Sequence, residues 1–402
     1  MSIWRRSWLL AGWLSIGWAA PALAQSDGPL GLKLESSLRH DSNLFRLPAN
    51  ANAELLIGRP NAAERIEVNS LSLTFSTALS LQKFDVAINL ANYRYQNFSQ
   101  LDYSARNYNA AWHWAITPSL HGNLASQRQI TQNSYADSLG YYQQNLRTNS
   151  GTRFDAAYEH NGAWVISAGL SHSTQSNQQA LTADADYKED SADLGLRYAF
   201  NSGDTISYTL RSSNGDYLNP LLSASGAYEG GFRQLDNELR LRWIVTGKSS
   251  ADIFASHVRR SHPQLPERDY SGLNAGANFN WNISGKSGLT AGWARQLSSY
   301  QTSYSNFSQT DRFSLGPVWQ LSSKMLLRAR YDVSHVDFLG SPSGLTGLQR
   351  SDTNTDASIS LGWQPNQYIT INTSLESSVR KSNLAGLDYE SKMATVSAQF
   401  SY

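Results

Sequence analysis

Residues 394–402 read Ala-Thr-Val-Ser-Ala-Gln-Phe-Ser-Tyr, with Ala394, Val396, Ala398, Phe400 and Tyr402 alternating with Thr395, Ser397, Gln399 and Ser401. A two-residue period puts the apolar set on one face of a strand and the polar set on the other. Taken alone, such a strand fits a soluble sheet as well as a boundary between oil and water. Repetition decides between them. Nearly every other segment of the chain alternates in the same way, with short turns at one end, longer loops at the other and no helical stretch between. This is the pattern of an all-β, transmembrane, antiparallel up-and-down β-barrel.

Working outward from that strand, Leu71, Leu73, Phe75, Thr77, Leu79 and Leu81 oppose Ser72, Thr74, Ser76 and Ser80. The chain is expected to turn at Gln82-Lys83 and to return through Phe84, Val86, Ile88 and Leu90, a tight hairpin. Further tight turns are read at Thr117-Pro118, His160-Asn161-Gly162, Asn201 to Asp204, Thr246-Gly247-Lys248, Ser284-Gly285-Lys286, Ser322-Ser323-Lys324 and Gln364-Pro365-Asn366. These imply about eighteen strands; Ala251 to Arg259 shows no clean face, which leaves about sixteen open. The other strand ends are joined by Thr131 to Tyr141, Thr174 to Asp186, Ser213 to Gly231, Arg260 to Asp269, Ser298 to Ser308 and Val336 to Arg350. Short periplasmic turns and long extracellular loops are the asymmetry of outer-membrane barrels.

The N-terminus agrees with export. Arg5 and Arg6 precede an apolar run from Trp8 to Ala20 and an Ala22-Leu23-Ala24 cleavage pattern, so residues 1–24 read as a signal peptide and residues 25–402 as one barrel domain in the outer membrane. Beyond it no stretch approaches the roughly 18 apolar residues of a spanning helix. A mean hydropathy of −0.44 would suit a soluble chain, but in a barrel only alternate residues face lipid. With no cysteine among 402 residues, disulfide scaffolds and thiolate metal sites are excluded, and a net charge of +1 gives no basis for nucleic-acid binding. Twenty tyrosines and only 16% charged residues suit aromatic girdles and a polar lumen. Composition alone would equally suit an extracellular β-solenoid or a sugar-binding sandwich.

Trp112, Trp114, Trp164, Trp243, Trp281, Trp293, Trp319 and Trp363 all lie within about seven residues of a tight turn, the expected periplasmic-side girdle, where indole rings sit at headgroup level. If the apolar face meets lipid, the opposite face lines the lumen. That places Arg197, Arg211, Arg240, Arg242, Arg312, Arg328 and Arg330 inward, together with Arg380 and with Asp193, Asp236, Glu238, Asp332 and Glu376. An interior of about eighteen strands is too wide for side chains to fill. Two basic patches there would favour anionic solutes or an acidic polymer; the competing reading is a cross-strand ion network that stiffens the wall. The loop tyrosines Tyr135, Tyr141, Tyr142, Tyr217, Tyr300 and Tyr304 could stack on sugars or form an upper girdle. No catalytic, metal, cofactor or phosphate-loop signature is evident; His113 and His121 are the histidines expected to meet, as polar lining.

The stretch Asp41-Ser42-Asn43-Leu44-Phe45-Arg46-Leu47-Pro48, followed by Gly58-Arg59-Pro60, resembles the N-terminal signature of the EpsL family, outer-membrane proteins of exosortase-associated exopolysaccharide gene clusters. The resemblance implies a part in exopolysaccharide biosynthesis or export, the barrel serving as conduit for an extracellular polysaccharide and working with inner-membrane polymerisation and export proteins. The terminal Phe400 and Tyr402 likewise resemble the signal read by the barrel assembly machinery. Physically, Asp41 and Asn43 can close an Asx-type turn, Phe45 and Leu47 can tuck into the barrel mouth, and Arg39 to Glu64 is long enough to fold inward as a plug. The expected function is a non-enzymatic polysaccharide conduit. The alternatives are a general porin or solute channel and a barrel enzyme acting on lipid A or polysaccharide.

Overall fold

The computed structural model describes residues 29–137, 142–179, 186–222, 228–300, 305–340 and 349–402; the expected signal peptide, Tyr141 and Tyr304 lie outside the described residues. The chain forms one 18-stranded antiparallel sheet. Its first half comprises β1 (Leu30–Asp41), β2 (Glu64–Leu79), β3 (Gln82–Tyr95), β4 (Tyr103–Thr117), β5 (Leu120–Gln132), β6 (Leu146–His160), β7 (Trp164–Asn177), β8 (Tyr187–Ala199) and β9 (Thr205–Leu222). The second half comprises β10 (Tyr228–Thr246), β11 (Ser249–Ser261), β12 (Tyr270–Asn282), β13 (Ser287–Ser299), β14 (Phe307–Ser322), β15 (Met325–Leu339), β16 (Ser351–Trp363), β17 (Ile369–Ser382) and β18 (Tyr389–Ser401). The sheet closes on itself because β1 pairs with both neighbours, Leu34 opposite Leu71 of β2 and opposite Phe400 of β18. Tyr402 and Leu32 exchange backbone hydrogen bonds of 2.7 and 2.8 Å, so the terminal aromatic strand forms the seam.

The two faces part as the alternation requires. Leu73, Phe75, Leu239, Leu273 and Ile369 are exposed on the outside, Leu273 to 50%. Inward side chains are mostly polar, and Arg242, Asn278, Asn280 and Arg330 are exposed although they point into the barrel. The lumen is therefore accessible to solvent, and the outer face is the apolar one.

Two expectations need correction, and the strand count left open between sixteen and eighteen closes at eighteen. The first hairpin turns at Ser80-Leu81, with Ser80 at φ 56, because β3 begins at Gln82. The segment from Ser213 to Gly231 is mostly strand, β9 running on to Leu222 and β10 starting at Tyr228. The ambiguous segment is β11, whose inner face carries Phe254 and Val258. Those apolar side chains face inward because the wall packs on itself there. A Cβ on Gly276 would meet the Phe254 ring at 2.5 Å, the Arg240 guanidinium lies 5.1 Å from that ring's centre, and Val258 is buried.

Candidate functional site

The seven arginines expected inside all face the lumen, but they are not equivalent. Arg211 lies 3.7 Å from Asp193; Arg240 bonds Glu238 at 3.0 Å and Asp252 at 2.8 Å; Arg330 bonds Asp332 at 2.5 Å; Arg197 is engaged as well. Arg242, Arg312 and Arg328 have no hydrogen-bond or ion-pair partner among the described residues. The lumen arginines therefore divide: some are held in ion pairs along the wall, and three carry guanidinium groups with no such partner among the described residues.

One wall contact that spans three strands escaped the sequence. Arg153 of β6 makes a two-pronged contact with Asp193 of β8, at 2.6 and 2.9 Å, reaching across β7. It can do so because residue 169 is glycine: a Cβ there would stand 2.3 Å from the Arg153 side chain. Gly169→Leu is expected to displace Arg153 and leave Asp193 with only the longer Arg211 contact. The loss is about 1.5–3 kcal/mol for a hydrogen bond to a charged group, read as a lower midpoint in guanidinium unfolding of the detergent-folded barrel.

At the extracellular end the loop between β1 and β2 folds inward, as its length suggested. Asp41 accepts from the Asn43 N–H at 2.9 Å, from Arg46 at 2.8 Å and from Ser391 of β18 at 2.6 Å, which closes the Asx turn and ties it to the seam. The Asn43 side chain closes the next turn onto the Leu47 backbone, donating at 2.8 Å and accepting at 2.9 Å. Phe45 is thereby driven into the mouth, where it is 1% exposed and meets Phe98 and Tyr135 edge-on at 4.8 Å and Tyr142 at 5.3 Å. Leu47, Ile66 and Leu101 complete the cluster. From the far side, Arg380 of β17 donates to the Ala136 carbonyl of the β5–β6 loop, so that loop also folds over the opening.

A second cluster of Tyr217, Phe232 and Leu265 occupies the mouth beside β9 to β12. The two share a local design. Glu64 accepts from the Asn97 and Phe98 backbone N–H groups at 3.0 and 2.9 Å, and Glu229 accepts from those of Gln264 and Leu265 at 2.7 and 3.1 Å. Asp102 then accepts from the Tyr95 N–H at 2.7 Å, and Asp269 from the His262 N–H at 2.6 Å. Next, Asn107 accepts from the Ile130 N–H at 2.8 Å, and Asn274 from the Leu297 N–H at 2.7 Å, each side chain standing in for a ladder bond where two strands part. The signal was available: Asp102-Tyr103-Ser104-x-x-Asn107 and Trp114 recur as Asp269-Tyr270-Ser271-x-x-Asn274 and Trp281 at the same internal spacing.

His262 in the second cluster is fully buried, with its Nε2 3.0 Å from the Tyr217 hydroxyl. Burial, aided by the nearby Arg260 charge and opposed by Asp269, holds its pKa below 6.5. The folded state thus binds this proton less readily than the unfolded chain. Its stabilisation is complete above pH 6.5 and is lost as pH falls through the lower folded-state value. Amides of residues 261–270 are expected to exchange faster at pH 5 than at pH 7 after correction for intrinsic rates, and His262→Gln should flatten that dependence.

Other expected sites are placed differently from the sequence reading. Tyr135 and Tyr217 are buried in the two mouth clusters, Tyr142 packs on Phe45, and Tyr300 meets the Phe338 ring at 4.7 Å. Tyr135 and Tyr217 thus build the mouth and offer no open ring for a sugar or for lipid, while Tyr142 and Tyr300 stay half-buried against neighbouring rings. His113 and His121 do not meet: His113 lies 3.0 Å from Asp85 and His121 3.4 Å from Glu159. On the outer face His335 approaches Ser351 at 3.2 Å and Asp337 at 3.3 Å. Both use the same ring nitrogen, so no carboxylate stands behind the imidazole to support a serine nucleophile. Of the eight tryptophans, seven are exposed on the outer face. Trp114 is 9% exposed because it lies over Gly122 and stacks on Phe154 at 5.7 Å.

Comparison with known proteins places the fold among porins. Residues 245–402 match the family described as "Putative beta-barrel porin 2". The chain is similar to Pseudomonas aeruginosa OccK1 (OpdK), at 11% identity and a TM-score of 0.53 over 93% of this chain and 99% of that one. OccK2 (OpdF) of the same organism gives 12% identity and a TM-score of 0.53 over 93% and 98%, and its complex with glucuronate gives 12% and 0.52 over 93% and 96%. The search of curated proteins gives no match. At such identities the likeness shows the fold, a porin-like barrel of outer-membrane type; the narrower EpsL resemblance finds no counterpart among these matches.

Proposed function

We propose that this barrel is an outer-membrane channel for small anionic solutes, carboxylates foremost. One observation carries the reading: Arg242, Arg312 and Arg328 stand unpartnered on the wall of a solvent-accessible lumen. A guanidinium fork matches a carboxylate or phosphate, and cations left without an ion pair attract anions that neutralised ones do not; Asp252, opposite Arg242 in register, is taken up by Arg240. That an OccK2 structure holds glucuronate is in keeping with this choice of solute. The channel acts without a cofactor and not as an enzyme, the girdle tryptophans anchor it in outer-membrane lipid, and Phe400 and Tyr402 present it to the barrel assembly machinery.

The rival reading, a conduit for an extracellular polysaccharide with inner-membrane partners, rests on the octapeptide from Asp41 to Pro48. That stretch serves here to pull Phe45 into the mouth, which narrows the path a polymer would need. Proteoliposomes swelling in iso-osmotic glucuronate, glucose and glucosamine separate solutes by charge: glucuronate is expected to enter fastest, and equal rates would end the anion proposal. In a deletion strain, surface polymer should be normal; polymer trapped in the periplasm would establish the conduit instead.

A further inference from the structure

Along the outer wall the apolar band gives way to charge at one level. Outward positions of β3 run Phe84, Val86, Ile88 and Leu90 before Asn92 and Arg94; those of β4 run Trp112, Ala110 and Tyr108 before Arg106; those of β5 run Leu124 and Ser126 before Arg128. Where strands β18 and β1 to β4 adjoin, this face is hollowed into a furrow of about 770 Å³, floored by Leu34, Leu71, Leu90 and Phe400, with Asn92 and Arg106 at its extracellular end. A second hollow of about 360 Å³, lined by Leu73, Val86 and Ile88, continues it towards the periplasm. Phe400, Leu34, Leu71, Leu90 and Arg106 are successive register partners, so the furrow crosses adjoining strands and spans roughly 19 Å from Phe400 to Arg106, the reach of an extended acyl chain.

The upper end is cationic at β4 and β5, while the Glu67 carboxylate on β2 accepts from Asn69 at 2.7 Å. Arg106 and Arg128 are exposed and have no partner among the described residues. The β4–β5 ladder stops at the pair Tyr108 and Arg128, so Arg106 sits one outward position beyond that pair and the two guanidinium groups flank one seam. We propose that this furrow binds one phosphorylated lipid of the extracellular leaflet, an acyl chain lying along Leu34, Leu71, Leu90 and Phe400 and its phosphate held by Arg106 and Arg128. Charge complementarity selects the occupant: an apolar trough crowned by two free guanidinium groups matches a lipid whose headgroup is anionic, and guanidinium forks bind phosphate oxygens two at a time. A zwitterionic lipid would fill the trough but set its own cation against the arginines.

The test is native mass spectrometry of the full barrel in detergent, titrated with diphosphorylated lipid A. The wild type is expected to retain one lipid at about tenfold lower concentration than the R106Q/R128Q variant. Lipid A stripped of its phosphates should bring the wild type to the variant's level. R233Q/R259Q, which removes two exposed outward arginines on the other side of the barrel, should behave as wild type. Should R106Q/R128Q fold poorly, as read by heat-modifiable mobility, R106K/R128K keeps the charge but loses the fork and is expected to bind at an intermediate level. Equal retention by wild type and R106Q/R128Q, or an equal loss in R233Q/R259Q, would overturn the site.

Discussion

Phe45→Ala is expected to raise single-channel conductance several-fold and to make the current noisier. Phe45 is 1% exposed and touches three rings, so truncation removes about 3–5 kcal/mol of packing from the cluster that holds the β1–β2 loop in the mouth. The Asx turn at Asp41 survives the substitution, so the strands keep their register while the loop loses its anchor. Leu55→Ala, in the same loop but 83% exposed, should leave conductance unchanged. A recording for Phe45→Ala that matches wild type in planar bilayers would mean that the cluster does not bound the conducting path.

Replacing Arg242, Arg312 and Arg328 together by Gln is expected to abolish anion preference. Each is a free cation beside water, worth about 1–4 kcal/mol to an anion passing at 4 Å. Since the Debye length is about 3 Å at 1 M salt and about 10 Å at 0.1 M, the chloride-to-potassium permeability ratio should fall roughly tenfold in 0.1 M KCl and much less in 1 M. Arg240→Gln differs, because it strands Glu238 and Asp252 as well: stability should drop along with selectivity. Unchanged permeability in the triple variant would return the arginines to a purely structural role.

The strand count and the two faces were legible because both follow from a local rule. Alternation tells lipid side from lumen side within any five residues, and the tight turns punctuate it. Even β11 obeys that rule in space; it misled because Phe254 and Val258 answer to inward neighbours, Gly276 among them, that lie a strand away. The mouth was less legible. Loop residues carry no period, so nothing in the sequence said that Tyr135 and Tyr217 turn inward and become buried. The Arg153–Asp193 contact skips a strand, and only the absence of a side chain at Gly169 permits it. The twin carboxylate-clamped loops were readable in principle, but only by laying Asp102 to Trp114 against Asp269 to Trp281, two stretches in opposite halves of the chain.

The central claim is that one face of every strand meets hydrocarbon and the other meets water. The chain has no cysteine of its own, so single replacements report cleanly. Leu239→Cys and Leu273→Cys, on the outer face, should resist a membrane-impermeant maleimide in liposomes, and a fluorophore placed there should be quenched by brominated lipid. Asn278→Cys and Arg242→Cys, in the lumen, should react with the maleimide quickly and ignore the lipid quencher. The reverse pattern, or protection of all four, would contradict a water-filled barrel with an apolar exterior.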